Sequence, residues 1–335
     1  MSATVRAGTL SRYVETARQV GLNPHRQLKT AGIDPRVLKT PEARLPARVV
    51  ARLLEDSAAA ADCPTFGLRL ALAWRLSDIG PTSLMLTHQP TLRAALSALA
   101  RHRHRITDAA AAHFRQVGDV FIIPVQVFID SPRQAFQFHE YAVGQLVKIC
   151  RAALGARWFP DSANFGHRGP DDRGLYHRLF GPNVNFSAGF DGLACSKGDM
   201  DRVNANWDEV ISQYAEQFAE TIPSIVEETI AHEVRRAVYV LMPIDCASLS
   251  GVAKSLGLTE RTLQRRLDDE GVDFSNLLND IKRDSAARYL SRRDLALDRV
   301  AELVGYSSVS TFTRWFSSQH GVSPAAWRKS QPPGA

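Results

Sequence analysis

Val252-Ala-Lys-Ser-Leu-Gly257 returns 48 residues later as Val300-Ala-Glu-Leu-Val-Gly305. Thr262-Leu-Gln-Arg-Arg-Leu267 then returns as Thr311-Phe-Thr-Arg-Trp-Phe316, and Gly271-Val272 as Gly321-Val322. Three blocks in one order, shifted only by single-residue insertions, mean that the last third of the chain contains one unit twice. Each unit reads as a short helix ending at Gly, a turn of a few residues and a second amphipathic helix, the helix-turn-helix arrangement. Gly257 and Gly305 stand where the chain must leave the first helix with positive φ, which glycine adopts without a Cβ penalty. Thr259, and Ser307 or Ser308, are placed as N-caps of the second helices.

In those second helices Leu263 and Leu267, and Phe312 and Phe316, recur at i, i+4 and are expected to face the core. That leaves Arg261, Gln264 and Arg265 in the first unit, and Ser310, Thr313 and Arg314 in the second, on the outward faces. Arginine pairs bidentately with guanine and glutamine with adenine, so the residue types suit reading of base edges in double-stranded DNA. One amphipathic hairpin with a solvated polar face would look the same; a duplicated one argues for a paired reading head. Between the units, Phe274–Leu290 carries the apolar stripe Leu277, Leu278, Ile281, Ala286 and Leu290. A helix of that length spans about 25 Å and suits holding two readers roughly one DNA turn, about 34 Å, apart. From 247 to 330 there are 13 Lys and Arg against ten acids, so non-specific affinity is expected to be moderate and salt-sensitive, with the acids Asp268-Asp-Glu270 turned away from DNA.

Over residues 247–328 the sequence resembles the DNA-binding domain of the AraC/XylS family of bacterial transcription regulators. The likeness is carried by the repeat, by Gly305-Tyr-Ser-Ser-Val-Ser-Thr-Phe-Thr-Arg-Trp-Phe316 and by the closing Gly321-Val-Ser-Pro-Ala-Ala-Trp-Arg328. The resemblance implies base-facing roles for Arg261, Gln264 and Arg265 in the first reader and for Ser310, Thr313 and Arg314 in the second, with Thr311 nearby. The short side chains at Ser310 and Thr313 shift the second reader's expected role toward phosphate anchoring. Phe66-Gly-Leu-Arg69, Pro90-Thr-Leu-Arg93 and Phe180-Gly-Pro-Asn-Val-Asn-Phe186 resemble the arabinose-binding-domain-like sensor of one subgroup. That implies a small-molecule effector, of an identity the sequence does not give, and a homodimer, with RNA polymerase as a further partner.

The rest of the chain is consistent with two domains: 335 residues, 44% hydrophobic and 23% charged, with a net charge of +6, exclude a disordered or collagen-like polypeptide. The longest apolar run, Val120–Ile129, is interrupted by Pro124 and Gln126 and falls far short of the ~20 residues of a membrane span. Met1-Ser-Ala-Thr-Val-Arg6 carries no apolar leader, so a cytoplasmic protein without membrane contact is expected. Helical periodicity places two short helices between Thr9 and Leu38 and others at Arg48–Ala61, Thr65–Trp74, Ser83–Thr87 and Thr91–Arg105. A hairpin is predicted from Ala110–Val117 and Val120–Ile129 around Gly118-Asp119. A helix over Pro132–Leu154, short strands in Arg157–His167 and Asn183–Ser196, and a helical Trp207–Met242 interrupted at Pro223 follow. The expected architecture is an α+β sensor and dimerisation domain over 1–242, an all-α domain of two helix-turn-helix units joined by a long helix over 243–330, and a disordered tail at 331–335.

Other chemistries find little support. Cys63, Cys150, Cys195 and Cys246 lie far apart without a C-x-x-C pair and read as free thiols. Arg101-His-Arg-His-Arg105 places its two histidines at i, i+2, which do not share a helix face, and reads as a solvated basic helix end. His167, His177 and His232 lack metal-ligand spacing, with Arg236 standing where His232-Glu233 would need a second His, so no metal or other cofactor is expected. There is no G-x-S-x-G, P-loop or G-x-G-x-x-G signature, so the chain does not read as an enzyme. Phe136–Tyr141 and Trp158–Phe165 read as core, with an effector pocket as the alternative. The apolar side of Ile225–Met242 suits an inter-subunit seam or packing on its own domain. An adaptor using the helical tail for protein contacts is the competing function.

Overall fold

The computed structural model describes residues 3–129, 135–221, 229–242, 246–291 and 295–330. They form two compact units, Met1–Val226 and Glu227–Ala335.

The first unit opens with β1 (Thr4–Arg6), α1 (Tyr13–Gln19) and α2 (Pro24–Thr30), and returns with β2 (Arg44–Pro46), antiparallel to β1. Asn23 caps α2 by accepting from the Arg26 N–H at 3.1 Å, and Pro24 occupies its first turn, where no N–H is needed. Then come α3 (Ala47–Ala60), α4 (Phe66–Ala73), α5 (Thr82–Thr87), α6 (Leu92–Arg101) and the single turn α7 (Arg103–Ile106). The Thr91 hydroxyl starts α6 by accepting from the Ala94 N–H.

The sheet follows with β3 (Ala110–Ala112), β4 (Arg115–Val117) and β5 (Val120–Val127). The predicted hairpin is the β4–β5 pair, with Val117 opposite Val120 across Gly118-Asp119. After α8 (Phe136–Leu154) the remaining elements are β6 (Ser162–Asn164), α9 (Gly174–Phe180), β7 (Val184–Asn185), β8 (Gly192–Ser196), α10 (Lys197–Asp201) and α11 (Glu209–Thr221). Spatial order is β3-β5-β8-β6-β7, with β4 beside β5 and only β6–β7 parallel. Helix α8 is the spine of this core. At Gly144 an added Cβ would meet the Ala71 Cβ at 2.5 Å, so α4 and α8 approach as closely as they do only without a side chain there.

Phe138, Tyr141, Trp158 and Phe165 are buried in this core, as the core reading of their stretches expected, while Phe159 is exposed. Phe165 packs edge-on to Tyr176 and Phe180 and stacks on Phe186. Among these rings sits a polar cluster: Glu140 is 1% exposed and accepts from the Tyr176 hydroxyl, and His167 Nε2 lies 3.4 Å from the same carboxyl oxygen. Burial pushes the Glu140 carboxyl up to about 8, and that of Glu55, which accepts from the Gln137 N–H, to about 7. Burial would also raise Asp191, but His139 at 2.8 Å holds it below the usual range. The cysteines are free, with Cys63, Cys150 and Cys195 buried.

The second unit begins earlier than the sequence suggested. Helix α12 (Ile230–Leu241), assigned above to the first domain, buries Ile230, Val234, Ala237, Val238 and Leu241 in the core of the second. The division at 226/227 therefore replaces the expected one near 242, and of the two fates open to this apolar stripe the structure shows packing within its own unit. After it come α13 (Leu249–Ser255), α14 (Glu260–Asp269), α15 (Phe274–Ser291), α16 (Leu297–Leu303), α17 (Val309–His320) and α18 (Pro324–Ser330). Pro223 and the 331–335 tail lie outside the described residues, as do the side chains of His104 and Arg105. No helix among the described residues is long and apolar enough to cross a membrane.

Candidate nucleic-acid interface

The duplication in sequence is a duplication in space. Helices α13 and α14 form one helix-turn-helix and α16 and α17 the other, with Gly257 at φ 69° and Gly305 at φ 77° making the equivalent exits. The capping chemistry is duplicated as well. Thr259 Oγ1 accepts from the Thr262 N–H at 3.2 Å and Ser308 Oγ from the Thr311 N–H at 3.3 Å. The Thr262 and Thr311 hydroxyls bond back to the same caps at 2.8 and 2.9 Å. Of the two serines open in sequence, Ser308 is the cap.

One hydrophobic core serves both readers. Leu263 and Leu267 of α14, Phe312 and Phe316 of α17, and Leu277, Ile281, Ala286 and Leu290 of the intervening α15 belong to a single buried cluster. The 18 residues of α15 give it a length of about 27 Å. The second reader is further fixed by rings: Tyr306 on Trp315 at 5.2 Å, and Phe316 on His320 at 4.1 Å. Rigid packing beneath a recognition helix is what allows its outer side chains to be placed against base edges.

With Leu263 and Leu267 turned inward, Arg261, Gln264 and Arg265 are all exposed, brought together on the outer face of α14. In α17 Ser310, Thr311 and Arg314 are exposed and Thr313 is half-buried, at the positions equivalent to those of α14. The Ser310 and Thr311 hydroxyls already contact Ser308 at 3.1 and 2.9 Å, so part of their bonding capacity goes to the helix cap. Sequence reasoning passed over two exposed cations of the first reader, Arg266 on α14 and Lys254 on α13. The repeat held the signal for Lys254: its counterpart is Glu302, which pairs with Arg299. The two readers thus differ in charge as well as in side-chain length.

Of the acids expected to point away from DNA, Glu270 has a definite task. Its two carboxylate oxygens accept from the N–H groups of Ile230 and Ala231 at 2.6 and 3.0 Å, closing the N-terminus of α12. A carboxylate there satisfies two orphan donors and the positive end of the helix dipole.

Comparison with known proteins agrees with this geometry. The profile of the arabinose-binding domain of AraC transcription regulators matches residues 21–204, and that of a helix-turn-helix domain matches residues 252–330. The chain belongs to the AraC family. Among AraC-type relatives, the HTH-type transcriptional regulator VirS of Mycobacterium tuberculosis is 26% identical over 98% of this chain and 97% of its own. The ornithine utilization regulator of Pseudomonas aeruginosa is 23% identical over 94% of both chains. The crystal structure of the transcriptional regulator CdpR from Pseudomonas aeruginosa covers 91% of this chain and 96% of its own at 22% identity, with a TM-score of 0.44. This AraC-family protein is a DNA-binding transcription regulator with an α/β N-terminal domain, and not an enzyme.

Proposed function

We propose that the protein binds operators sequence-specifically through two unequal readers, and that a small-molecule effector in the first unit modulates this binding. The observation that carries the reading is the outer face of α14, where Arg261, Gln264 and Arg265 stand together over a buried Leu263 and Leu267. Arg261, Gln264 and Arg265 take base edges, with Lys254 and Arg266 on flanking phosphates. Ser310, Thr311, Thr313 and Arg314 form the second, weaker reader, with Arg314 as its cation. Effector modulation is linkage: a ligand that binds two states of the protein unequally shifts operator affinity by the ratio of its own affinities.

The regulator acts in the cytoplasm as a homodimer, with RNA polymerase as a further partner at the promoter. Support for the dimer is the outer face of α11 and the turn before it, where Trp207, Val210, Ile211, Tyr214 and Phe218 are each at least 40% exposed. Contiguous apolar surface of this kind marks an interaction site.

Selection from a random-duplex library with the full-length protein at near-physiological salt tests the DNA reading. Two short motifs about one helical turn apart are expected. Absence of any enriched sequence, with and without candidate effectors, would sink it and favour the adaptor.

A further inference from the structure

The first unit encloses a cavity of about 90 Å³ between α6, α7, α8 and the β3–β5 edge of the sheet. Its emptiness has a sequence cause. Ala110, Ala111 and Ala112 of β3, Ala100 of α6 and Ala142 of α8 all line it, and none has an atom beyond Cβ to fill the space. Protein interiors are otherwise packed as densely as organic crystals, so a cavity framed by five alanines is a shape that the sequence keeps open.

Its walls are largely apolar, but not at every point. Arg103, Thr107 and Gln145 line it too, and Arg103 supplies the one formal charge among the lining residues. A guanidinium stays protonated at any physiological pH and matches a carboxylate in a two-point fork. The field at this corner is positive. The buried His113 imidazole is pushed down to about 4, first by burial and then by Arg103, so it stays neutral and adds no competing charge near neutral pH. The space is smaller than the ~150 Å³ cavity that holds a benzene ring, which favours a slim chain over a ring.

We propose that this cavity binds a short aliphatic monocarboxylate, with its chain against the alanines and its carboxylate on Arg103. The proposal rests on the effector-sensing reading of the first unit and names the class of molecule sensed. A neutral ligand would leave the guanidinium's fork unused, and an ammonium would face a like charge.

The test uses the full-length protein, with hexanoate, hexanamide and hexylamine as probes in equilibrium dialysis. Fluorescence of Trp74, which lines the cavity, gives a second readout, assigned with Trp74→Phe. Hexanoate is expected to saturate one site per chain, with hexanamide at least tenfold weaker and hexylamine without binding. Arg103→Gln should weaken hexanoate at least tenfold and leave hexanamide unchanged. Ala100→Leu should weaken both, with Ala142→Leu as a second filling variant should the first melt early. Equal binding of hexanoate and hexanamide, an Arg103→Gln protein that binds hexanoate normally, or no binding of any probe overturns the proposal. Operator affinity measured alongside separates the two readings. Hexanoate binding without a shift in operator affinity keeps the site and removes the effector role, whereas a shift caused by some other small molecule, with hexanoate inert, removes only the proposal made here.

Discussion

Arg265 and Arg328 are both cations of the second unit, yet their surroundings divide their work. Arg265 is exposed on α14 beside Gln264, whereas Arg328 is half-buried and its Nε donates to the Leu290 carbonyl at 3.1 Å, tying α18 to the end of α15. Arg265→Ala should therefore cost about 1–3 kcal/mol of discrimination at one base pair. Arg328→Ala should leave base preference intact and lower stability by about 1–2 kcal/mol, since it removes a charged hydrogen bond within the fold. Competition binding against single-base operator variants, with urea melts of both proteins, checks the pair; equal loss on matched and scrambled DNA by Arg265→Ala would contradict its role. At Glu140 the expectation concerns pH. Its folded carboxyl titrates near 8 against an ordinary value of 4.5. As pH rises from 4.5, the unfolded chain gives up this proton while the folded one keeps it, so stability falls through that window and levels off above 8. Glu55 acts in the same direction. Glu140→Gln cannot titrate, so its melting temperature relative to the parent should rise steadily between pH 5 and pH 8. A constant difference would show that the carboxyl ionises normally.

Among the elements, the reading head was the most legible because three independent signals coincide in it: the repeat, the capping hydroxyls and the i, i+4 stripes. Helix α12 was readable as a helix but not as a member of the second unit. An apolar stripe shows that a face is buried and says nothing about which core buries it. Three-residue strands such as β1 and β2 carry too little periodicity to register, and the alanine-framed cavity is invisible in a pattern that counts alanine as apolar filling. At the readers, sequence identified the outward positions but not that Ser310 and Thr311 share their hydroxyls with the Ser308 cap, which depends on rotamers. The join between α12 and α14 gives a test at this scale. Glu270→Ala removes the carboxylate from two N–H groups of α12 and should destabilise the second unit by about 1–2 kcal/mol. Asp268→Ala, one turn away and exposed, should change stability by less than about 0.5 kcal/mol. Denaturant melts followed by the fluorescence of Trp315 and Trp327 would report the contrast, and similar effects of the two substitutions would remove the capping role.

For the whole molecule, the proposed dimer joins the α11 face to the electrostatics of DNA binding. Trp207, Val210, Ile211, Tyr214 and Phe218 recur at helical spacing, while Ala215 on the opposite side is buried against the unit's own core. At the exposures observed these side chains offer on the order of 500 Å² per copy, a substantial part of the ~800 Å² that each partner contributes to a standard interface. A two-fold axis across the stripe covers it with itself, which a single-sided partner of unrelated shape does not do. Tyr214→Asp, placed at 68% exposure where the monomer fold has little stake in the ring, should convert a dimer into a monomer in sedimentation velocity. DNA binding should then change in a specific way. Counterion release makes the slope of log affinity against log salt proportional to the number of phosphates neutralised, so a dimer on two half-sites has about twice the slope of a monomer on one. The variant should keep its single half-site affinity, lose its preference for paired half-sites and show roughly half the parent's salt slope on the full operator. An unchanged sedimentation coefficient would place the dimer contact elsewhere, and a monomer with an undiminished slope would mean that one chain's two readers already account for the whole footprint.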